Sequence, residues 1–259
     1  MNLDDWKKAG RYFQHNGHGI FYRAQGSGAQ ALVLIHGFPT ASWDWAPLWE
    51  ALCIQFKHVI ALDMLGFGFS AKPPKHTYSL VEQADIHTAL LAQRGVTRAH
   101  LLAHDYGVSV AQELLARGLE GREPELLSVA LLNGGLFPET HRATAMQKLL
   151  RSPLGGLVAR LTTEDRFGKS FSHVFGPGTQ PSAAELHDFW RLMTHNNGHR
   201  LTHRLIRYIQ ERRDNRERWV GALQNTRVPL RLINGPEAPV SGAHMVARYR
   251  ELVPRPDVV

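Results

Sequence analysis

An aspartate stands where the sequence changes from a predicted strand to a predicted helix. The stretch from Leu101 to Ser109 reads Leu-Leu-Ala-His-Asp-Tyr-Gly-Val-Ser, so the small residues Ala103 and Gly107 flank Asp105. Small neighbours permit a sharp strand-to-helix turn, which lifts one side chain above the sheet beside the positive end of a helix. The pattern predicts a carboxylate nucleophile. Taken alone, it fits an ordinary helix N-cap equally well, because aspartate is also a preferred N-cap residue.

A second motif favours the nucleophile over the N-cap. His36-Gly-Phe-Pro39 directly follows a predicted buried strand. A turn at this place exposes the backbone N–H of Phe38, which together with the N–H of Tyr106 predicts a pair of donors for a developing oxyanion. A third motif, 62–70, reads Leu-Asp-Met-Leu-Gly-Phe-Gly-Phe-Ser and again follows a predicted strand.

Short apolar runs alternate with helical patterns, and this alternation must position the motifs. The runs are nearly continuous, as in strands that are covered on both faces. We predict strands at 19–25, 31–36, 58–64, 99–104, 126–132 and 229–234. We predict helices at 43–54, 79–94, 108–117, 144–150, 182–193, 201–219 and 243–252. The order predicts an α/β fold, with a mostly parallel sheet and helices on both faces.

The pattern divides the chain into three parts. Residues 1–136 are predicted to form the first part of the α/β core, 137–227 an inserted helical cap, and 228–259 the second part of the core. Of the net charge of +7, the stretch 141–227 holds 15 Lys and Arg against 7 Asp and Glu. No nucleic-acid motif accompanies this charge, so we expect a solvated helical surface and no nucleic-acid partner.

Composition limits the class of protein. The 259 residues are 43% hydrophobic and 20% charged, which excludes a disordered chain. Cys53 is the single cysteine, so no internal disulfide is expected. The longest apolar runs, such as 31–35, are far shorter than the roughly 20 residues of a membrane helix. The acidic start at 1–6 lacks the apolar core of a secretory signal. We therefore expect no membrane span and a cytoplasmic location.

The three motifs together resemble the α/β-hydrolase fold, in the branch with an aspartate nucleophile that contains epoxide hydrolases and haloalkane dehalogenases. The resemblance covers roughly 18–136 and 228–252, and 137–227 takes the place of the family's helical cap. It implies that Asp105 attacks a substrate carbon to form an alkyl ester, which a histidine-activated water then hydrolyses. The resulting oxyanion would bind the N–H groups of Phe38 and Tyr106.

The resemblance also bears on the substrate. Haloalkane dehalogenases usually have Asn where Phe38 stands and Trp where Tyr106 stands, and this difference argues against dehalogenation. Epoxide hydrolases use two cap tyrosines to protonate the leaving oxygen. Tyr208 matches one of them, and the other is absent near Phe175. The alternative for Tyr208 is a half-buried helix residue with no catalytic part.

The expected ligand is a small apolar molecule, with neither a cofactor nor a metal. We predict a pocket between sheet and cap that is lined by some of six aromatic residues: Phe38, Trp43, Tyr106, Phe137, Phe175 and Trp190. His195, His199 and His203 are four residues apart, but no carboxylate or cysteine completes a zinc set, so we interpret them as surface histidines. We expect His141 to make structural hydrogen bonds. The sequence leaves the oligomeric state open.

Two members of the family's triad have no match. Where the family has Gly-x-x-Asp-Pro-Val, this chain has Gly-Pro-Glu-Ala-Pro-Val, so Ala238 takes the place of the acid and Glu237 lies one residue early. The alternative acid position falls near Asn133. His244 lies on a predicted helix and is not accepted as the base. We expect the last strand and helix of the fold to be absent, and the alternative function is a truncated or impaired homologue that binds rather than turns over its ligand.

Overall fold

The sheet has seven strands, and the structure, a computed structural model, describes residues 1–259. The strands are β1 (Arg11–His15), β2 (His18–Gly26), β3 (Gln30–Ile35), β4 (His58–Leu62), β5 (Arg98–His104), β6 (Glu125–Leu132) and β7 (Leu230–Ile233). Their order is β1-β2-β4-β3-β5-β6-β7. β1 and β2 are antiparallel to their neighbours, and the other pairs are parallel. Beyond β7, Val258 forms a parallel bridge with Leu232. The predicted mostly parallel α/β sheet is confirmed.

Five helices belong to the part of the chain that forms the sheet. They are α1 (Leu3–Lys8), α2 (Trp49–Gln55), α3 (Leu80–Gln93), α4 (Tyr106–Leu119) and α12 (Ala243–Leu252). Seven more lie between β6 and β7: α5 (Ala145–Arg151), α6 (Gly155–Leu161), α7 (Glu164–Ser172), α8 (Ala183–Thr194), α9 (Thr202–Leu205), α10 (Tyr208–Asp214) and α11 (Arg216–Asn225). No helix is both long enough and apolar enough to cross a membrane.

Two predicted helices are interrupted. The helix expected at 43–54 is a 3₁₀ turn, Ser42–Trp45, followed by α2, because Pro47 between them cannot donate a backbone hydrogen bond. The helix expected at 201–219 is three shorter helices, α9 to α11. β1, α1, α6 and α7 were not predicted, and each of them is short, at nine residues or fewer.

The central strand β3 is apolar throughout because each of its faces meets a different core. Val33 and Ile35 belong to the larger hydrophobic cluster, which includes residues of α3, α4 and α11. Leu32 and Leu34 belong to a second cluster, which includes residues of α1 and α2. Successive side chains of β3 point to opposite faces, so both faces of the strand are buried. The sharp turns that follow the strands at the carboxyl edge therefore extend from a rigid sheet.

Candidate functional site

Asp105 occupies a strained backbone conformation between β5 and α4. Its φ is 48° and its ψ is −104°, a region that residues with a Cβ rarely adopt. The turn is tight: a Cβ placed on Gly107 would lie 2.6 Å from the carbonyl oxygen of Ile35. Asp105 stands at the N-cap position of α4, yet its side chain makes no capping hydrogen bond. The carboxylate is therefore directed to another partner.

That partner is the backbone of Phe38. The Phe38 N–H donates to Oδ2 of Asp105 at 2.9 Å. The turn that presents this amide is held by His36, whose Nε2 accepts from the Met64 N–H at 3.0 Å. Nδ1 therefore carries the proton and donates to the Gly37 carbonyl oxygen at 2.8 Å. Burial lowers the pKa of His36 to about 3, which keeps the ring neutral at neutral pH.

The Tyr106 N–H is the second amide of the predicted pair. Tyr106 is the first residue of α4, so its N–H has no acceptor within the helix. Its side chain points into the core, where the ring is 1% exposed and packs edge-on against Phe67 and Tyr208. Both amides thus stand at the carboxyl edge of neighbouring strands β3 and β5.

Tyr208 lies over this edge from helix α10. Its ring centroid is 5.1 Å from that of Tyr106 and 5.8 Å from that of Phe38. The hydroxyl oxygen accepts from Nε2 of Gln147 at 3.4 Å. Burial, and then the charge of Asp105, raise the pKa of Tyr208 well above its ordinary value of 10.0. The hydroxyl is therefore protonated and able to donate.

Arg212, on the same helix, was missed by the sequence reasoning. Its Nε donates to Oγ of Ser109 at 2.7 Å, and its Nη2 donates to the backbone oxygen of Asp105 at 3.0 Å. The guanidinium also lies over the ring of Tyr208, 4.6 Å from the centroid. The spacing of four residues from Tyr208 is a signal that both project from one face of a helix.

One buried and one half-buried carboxylate hold α10 and α11 on the core. Glu211 accepts from the backbone N–H groups of Leu80 and Val81 at the start of α3. Glu113 of α4 accepts from Nε of Arg218 and from Nε1 of Trp219, each at 2.8 Å. These contacts fix the height at which Tyr208 and Arg212 stand above the sheet.

A cavity of about 590 Å³ opens beside this cluster. Phe38 lines the cavity and also bonds Asp105, so it links the two. Other lining residues are Gln147, Leu150, Phe167, Phe171 and Val240. The cavity is bounded by the inserted helices on one side and by core turns on the other.

Five of the six aromatic residues predicted to line the pocket do not line this cavity, and one of them is Tyr106, whose ring lies in the core. Phe137 is fully buried in the larger core, and Trp43 packs edge-on against Phe189 of α8. Trp190 packs against Phe167 and His199. Phe175 lines a separate open cleft formed by α7 and α8. Which aromatic residues face the cavity is decided by how the inserted helices pack, and the sequence pattern does not show this.

The residues considered for the missing acid and base lie in other contacts. Glu237 is exposed, and Ala238 closes a turn by donating its N–H to the Gly235 carbonyl oxygen at 3.2 Å. Asn133 accepts from the Gly235 N–H at 2.7 Å and so ties the end of β6 to the end of β7. His244 lies on α12, as predicted, and contacts the Val240 carbonyl oxygen.

His141 was predicted to make structural hydrogen bonds. Its ring lies beside the side chain of Gln147, although neither nitrogen has a partner within 3.5 Å. Burial, with a further contribution from Arg212 and against that of Asp105, lowers the pKa of His141 to about 4. The imidazole is therefore neutral, and it lies close to the side chains of Asp105 and Gln147.

The sheet, the turns at its carboxyl edge and the inserted helices define a class of protein. Residues 30–231 match the family model of the alpha/beta hydrolase fold, so this chain belongs to that family. The expectation from the three sequence motifs is confirmed.

Two relatives match along the whole chain. The sequence is 45% identical over 267 residues to the mesoderm-specific transcript homolog protein of Bos taurus, covering 99% of this chain and 79% of the relative. It is 37% identical over 259 residues to the protein LipZ of Mycobacterium tuberculosis, covering 100% of this chain and 89% of the relative.

Solved structures show the same fold. The epoxide hydrolase CorEH superposes with a TM-score of 0.73 at 19% identity, covering 96% of this chain and 88% of that one. The haloalkane dehalogenase DatA from Agrobacterium tumefaciens superposes with a TM-score of 0.76 at 19% identity, covering 96% and 86%. At this level of identity the likeness concerns the fold alone.

Proposed function

We propose that this protein is a hydrolase of the epoxide-hydrolase type, with Asp105 as the nucleophile and a small molecule as substrate. The observation that carries the proposal is the strained turn at Asp105, whose carboxylate receives the Phe38 N–H at 2.9 Å next to the 590 Å³ cavity. Strained backbone of this kind is concentrated at functional sites. Apolar residues of the cavity wall, among them Leu150, Phe167 and Phe171, support an apolar substrate.

In the first step Oδ1 of Asp105 attacks an epoxide carbon, and the C–O bond of the ring breaks as the new ester bond forms. The released alkoxide takes the proton of the Tyr208 hydroxyl. The raised pKa of Tyr208 supports this part, because the group stays protonated until a strong base forms beside it.

In the second step water attacks the carbonyl carbon of the Asp105 ester. The oxyanion is stabilised by the N–H groups of Phe38 and Tyr106, and each such donor contributes about 3 kcal/mol of barrier lowering. The tetrahedral intermediate releases the diol and restores the carboxylate with one oxygen from water. One proton of the water goes to the leaving oxygen of the diol, and the other returns to the Tyr208 phenolate. Activation of the water requires a general base, and we assign no residue of 1–259 to it.

The test uses a styrene-oxide-type epoxide in ¹⁸O water, followed by mass spectrometry of the peptide that holds Asp105. Label in the Asp105 carboxylate is expected after turnover, and Asp105→Asn should acquire none. Tyr208→Phe should slow ester formation about 10²- to 10⁴-fold while its thermal unfolding stays close to that of the wild type. Absence of both adduct and label on Asp105 contradicts the proposal.

A second candidate is a homologue that binds its ligand without completing the reaction. Ala238 at the family's acid position, together with the exposed side chain of Glu237, favours it. The same experiment separates the two candidates, because a stable adduct on Asp105 without ¹⁸O incorporation is expected only for the second. For the location we retain the cytoplasm as a proposal, which the single cysteine supports.

A further inference from the structure

Helix α6 turns small residues toward the protein and large apolar residues toward solvent. Gly155 and Ala159 are buried, and a Cβ built on Gly155 would lie 2.0 Å from a backbone oxygen of α5, so this face packs closely. Leu154, at the N-cap position, and Leu157 and Leu161 are each more than half exposed. Their spacing of three and four residues places these three leucines, the leucine row, along one side of the helix.

The orientation of α6 is the reverse of that expected for a helix that only stabilises a fold. A helix at the surface of a soluble protein normally turns its large apolar side chains toward the core. Single exposed apolar residues need no explanation, but a continuous exposed apolar surface marks an interaction site. Leu149 at the end of α5 is exposed as well. The leucine row is therefore a surface that a partner covers.

Three cations in the same segment indicate the charge of that partner. Lys148 and Arg151 lie in the last turn of α5, and Arg160 lies in α6. All three are exposed, and none forms a salt bridge within 4.0 Å. Between Glu139 and Glu164 the chain contains neither aspartate nor glutamate. The surface thus combines apolar side chains with positive charge that the protein does not neutralise.

This combination favours an anionic lipid surface over a second copy of the chain. A symmetric dimer through the leucine row would bring the cations of both copies together, because the same patch is used twice in such an interface. A bilayer that contains anionic lipids accepts apolar side chains at the boundary of its acyl chains and cations among its headgroups.

The leucine row also reaches the rim of the 590 Å³ cavity. Nη1 of Arg166 donates to the carbonyl oxygen of Leu161 at 3.4 Å, and both Arg166 and Thr162 line the cavity. Val174, another lining residue, is itself exposed. A lipid surface against the row would therefore lie close to the cavity, where apolar molecules dissolved in the bilayer are concentrated.

We propose that the leucine row, with Lys148, Arg151 and Arg160, is a docking surface for a bilayer that contains anionic lipids. The leucines enter the boundary between headgroups and acyl chains, and the cations contact the headgroups. The protein lies on the bilayer without crossing it. The proposal goes beyond the hydrolase reaction and does not depend on Asp105, so its test measures binding alone.

The first experiment tests the apolar part of the surface. Co-sedimentation is measured with vesicles of phosphatidylcholine alone and of phosphatidylcholine mixed with phosphatidylglycerol. The wild type should bind the mixed vesicles more tightly, and Leu157→Ser should weaken that binding about 10-fold because less apolar surface enters the bilayer. Leu119→Ser is the matched control, since Leu119 is an exposed leucine at the end of α4, and it should bind like the wild type.

The second experiment tests the charge. The double variant Arg151→Gln and Arg160→Gln should weaken binding to the mixed vesicles about 5-fold for each cation removed. Arg250→Gln is the control, because Arg250 is also exposed and without a salt bridge but lies on α12, and it should have no effect. Added salt should weaken binding of the wild type, since it screens exposed charges.

Thermal unfolding without vesicles establishes that each variant is folded, as expected for exposed side chains. A wild-type protein that stays in the supernatant with the mixed vesicles would overturn the proposal, and so would equal weakening by Leu157→Ser and Leu119→Ser. Binding that is the same in the double arginine variant and the wild type would refute the role of the cations. If sedimentation velocity shows a dimer that Leu157→Ser abolishes, and no vesicle binding is found, the row belongs to an interface between two copies instead.

Discussion

Two groups of the inserted helices are attached to the core in different ways. The anchored helices, α10 and α11, carry a series of polar side chains that bond the core, including Glu211, Arg212, Arg218 and Trp219. The outer helices, α5 to α7, make no hydrogen bond to 1–136 or 228–259. Their link to the anchored helices is the bond from Gln147 to the Tyr208 hydroxyl at 3.4 Å.

The apolar side chains of the outer helices are also more exposed than those of the anchored helices. Leu154, Leu157 and Leu161 of the outer region are 61%, 56% and 57% exposed. In α11, Trp219 and Leu223 are 2% and 1% exposed. The ion pair of the outer helices, between Asp165 and Lys169, is also solvent-exposed on both sides.

This difference in attachment indicates that the two groups have different roles. The anchored helices hold Tyr208 and Arg212 at a fixed position over Asp105, as a preorganised site requires. The outer helices supply the wall of the cavity, and apolar contact without directional bonds allows that wall to shift. The free energy of unfolding should therefore depend strongly on the core contacts of the anchored helices and weakly on the exposed side chains of the outer helices.

The largest effect is expected at Glu113. It is 2% exposed and accepts from Arg117, Arg218 and Trp219, so Glu113→Ala leaves two guanidinium groups without their shared partner. We expect a loss of about 3–5 kcal/mol in the free energy of unfolding, measured by denaturant titration. The control Asp165→Ala removes an exposed pair and should cost less than about 1 kcal/mol. Equal losses would remove the distinction between the two groups.

The features of the fold and site that could be predicted from the sequence are those set by residues close together in the chain. Helix α12 was predicted with its observed bounds, Ala243–Leu252, because its apolar period and the glycine before it are local signals. The turn at Asp105 could likewise be predicted, because small residues that flank an aspartate after a strand reflect local backbone constraints. The antiparallel strand β1 was missed because its five residues are polar at most positions.

Arg212 could not be found in the same way. Its role arises from a contact with Ser109, 103 residues earlier, and depends on where the anchored helices settle. The direction of Trp43 is similar, since its packing on Phe189 depends on how α8 lies against the core. Sequence patterns identify residue types that suit a site, whereas long-range packing decides which of them face it.

The hydrogen bonds of Glu113 should also make the free energy of unfolding depend on pH. Burial raises the pKa of Glu113, but hydrogen bonds from Arg218, Arg117 and Trp219 outweigh burial and hold the pKa below its ordinary 4.5. A carboxylate with a lowered folded pKa stabilises fully above its unfolded pKa and loses that contribution as pH falls through the folded pKa. The stability difference between the wild type and Glu113→Gln should therefore shrink below about pH 4.5. Denaturant titrations from pH 7 to pH 3 measure it, and a constant difference would contradict the carboxylate's role.

A smaller effect is expected from the backbone at Asp105. Both Asp105→Gly and Asp105→Ala remove the carboxylate, so the comparison isolates the strain of a Cβ at φ 48° and ψ −104°. We expect the glycine variant to be more stable by about 1 kcal/mol, the reverse of the order at an ordinary helix position. Thermal unfolding of the two variants measures the difference. An alanine variant of equal or higher stability would show that the turn is not strained.

The smallest effect is expected on the outer helices. Leu157→Ala removes a side chain that is 56% exposed and replaces it with a residue that favours helix, so the free energy of unfolding should change by less than about 0.5 kcal/mol. The matched variant in the anchored helices, Leu223→Ala, opens a space in the core and should cost about 2–5 kcal/mol. Denaturant titration of both compares the groups without any change of charge. A loss at Leu157 as large as that at Leu223 would mean that the outer helices are held as firmly as the anchored ones, and that the cavity wall is part of the rigid core.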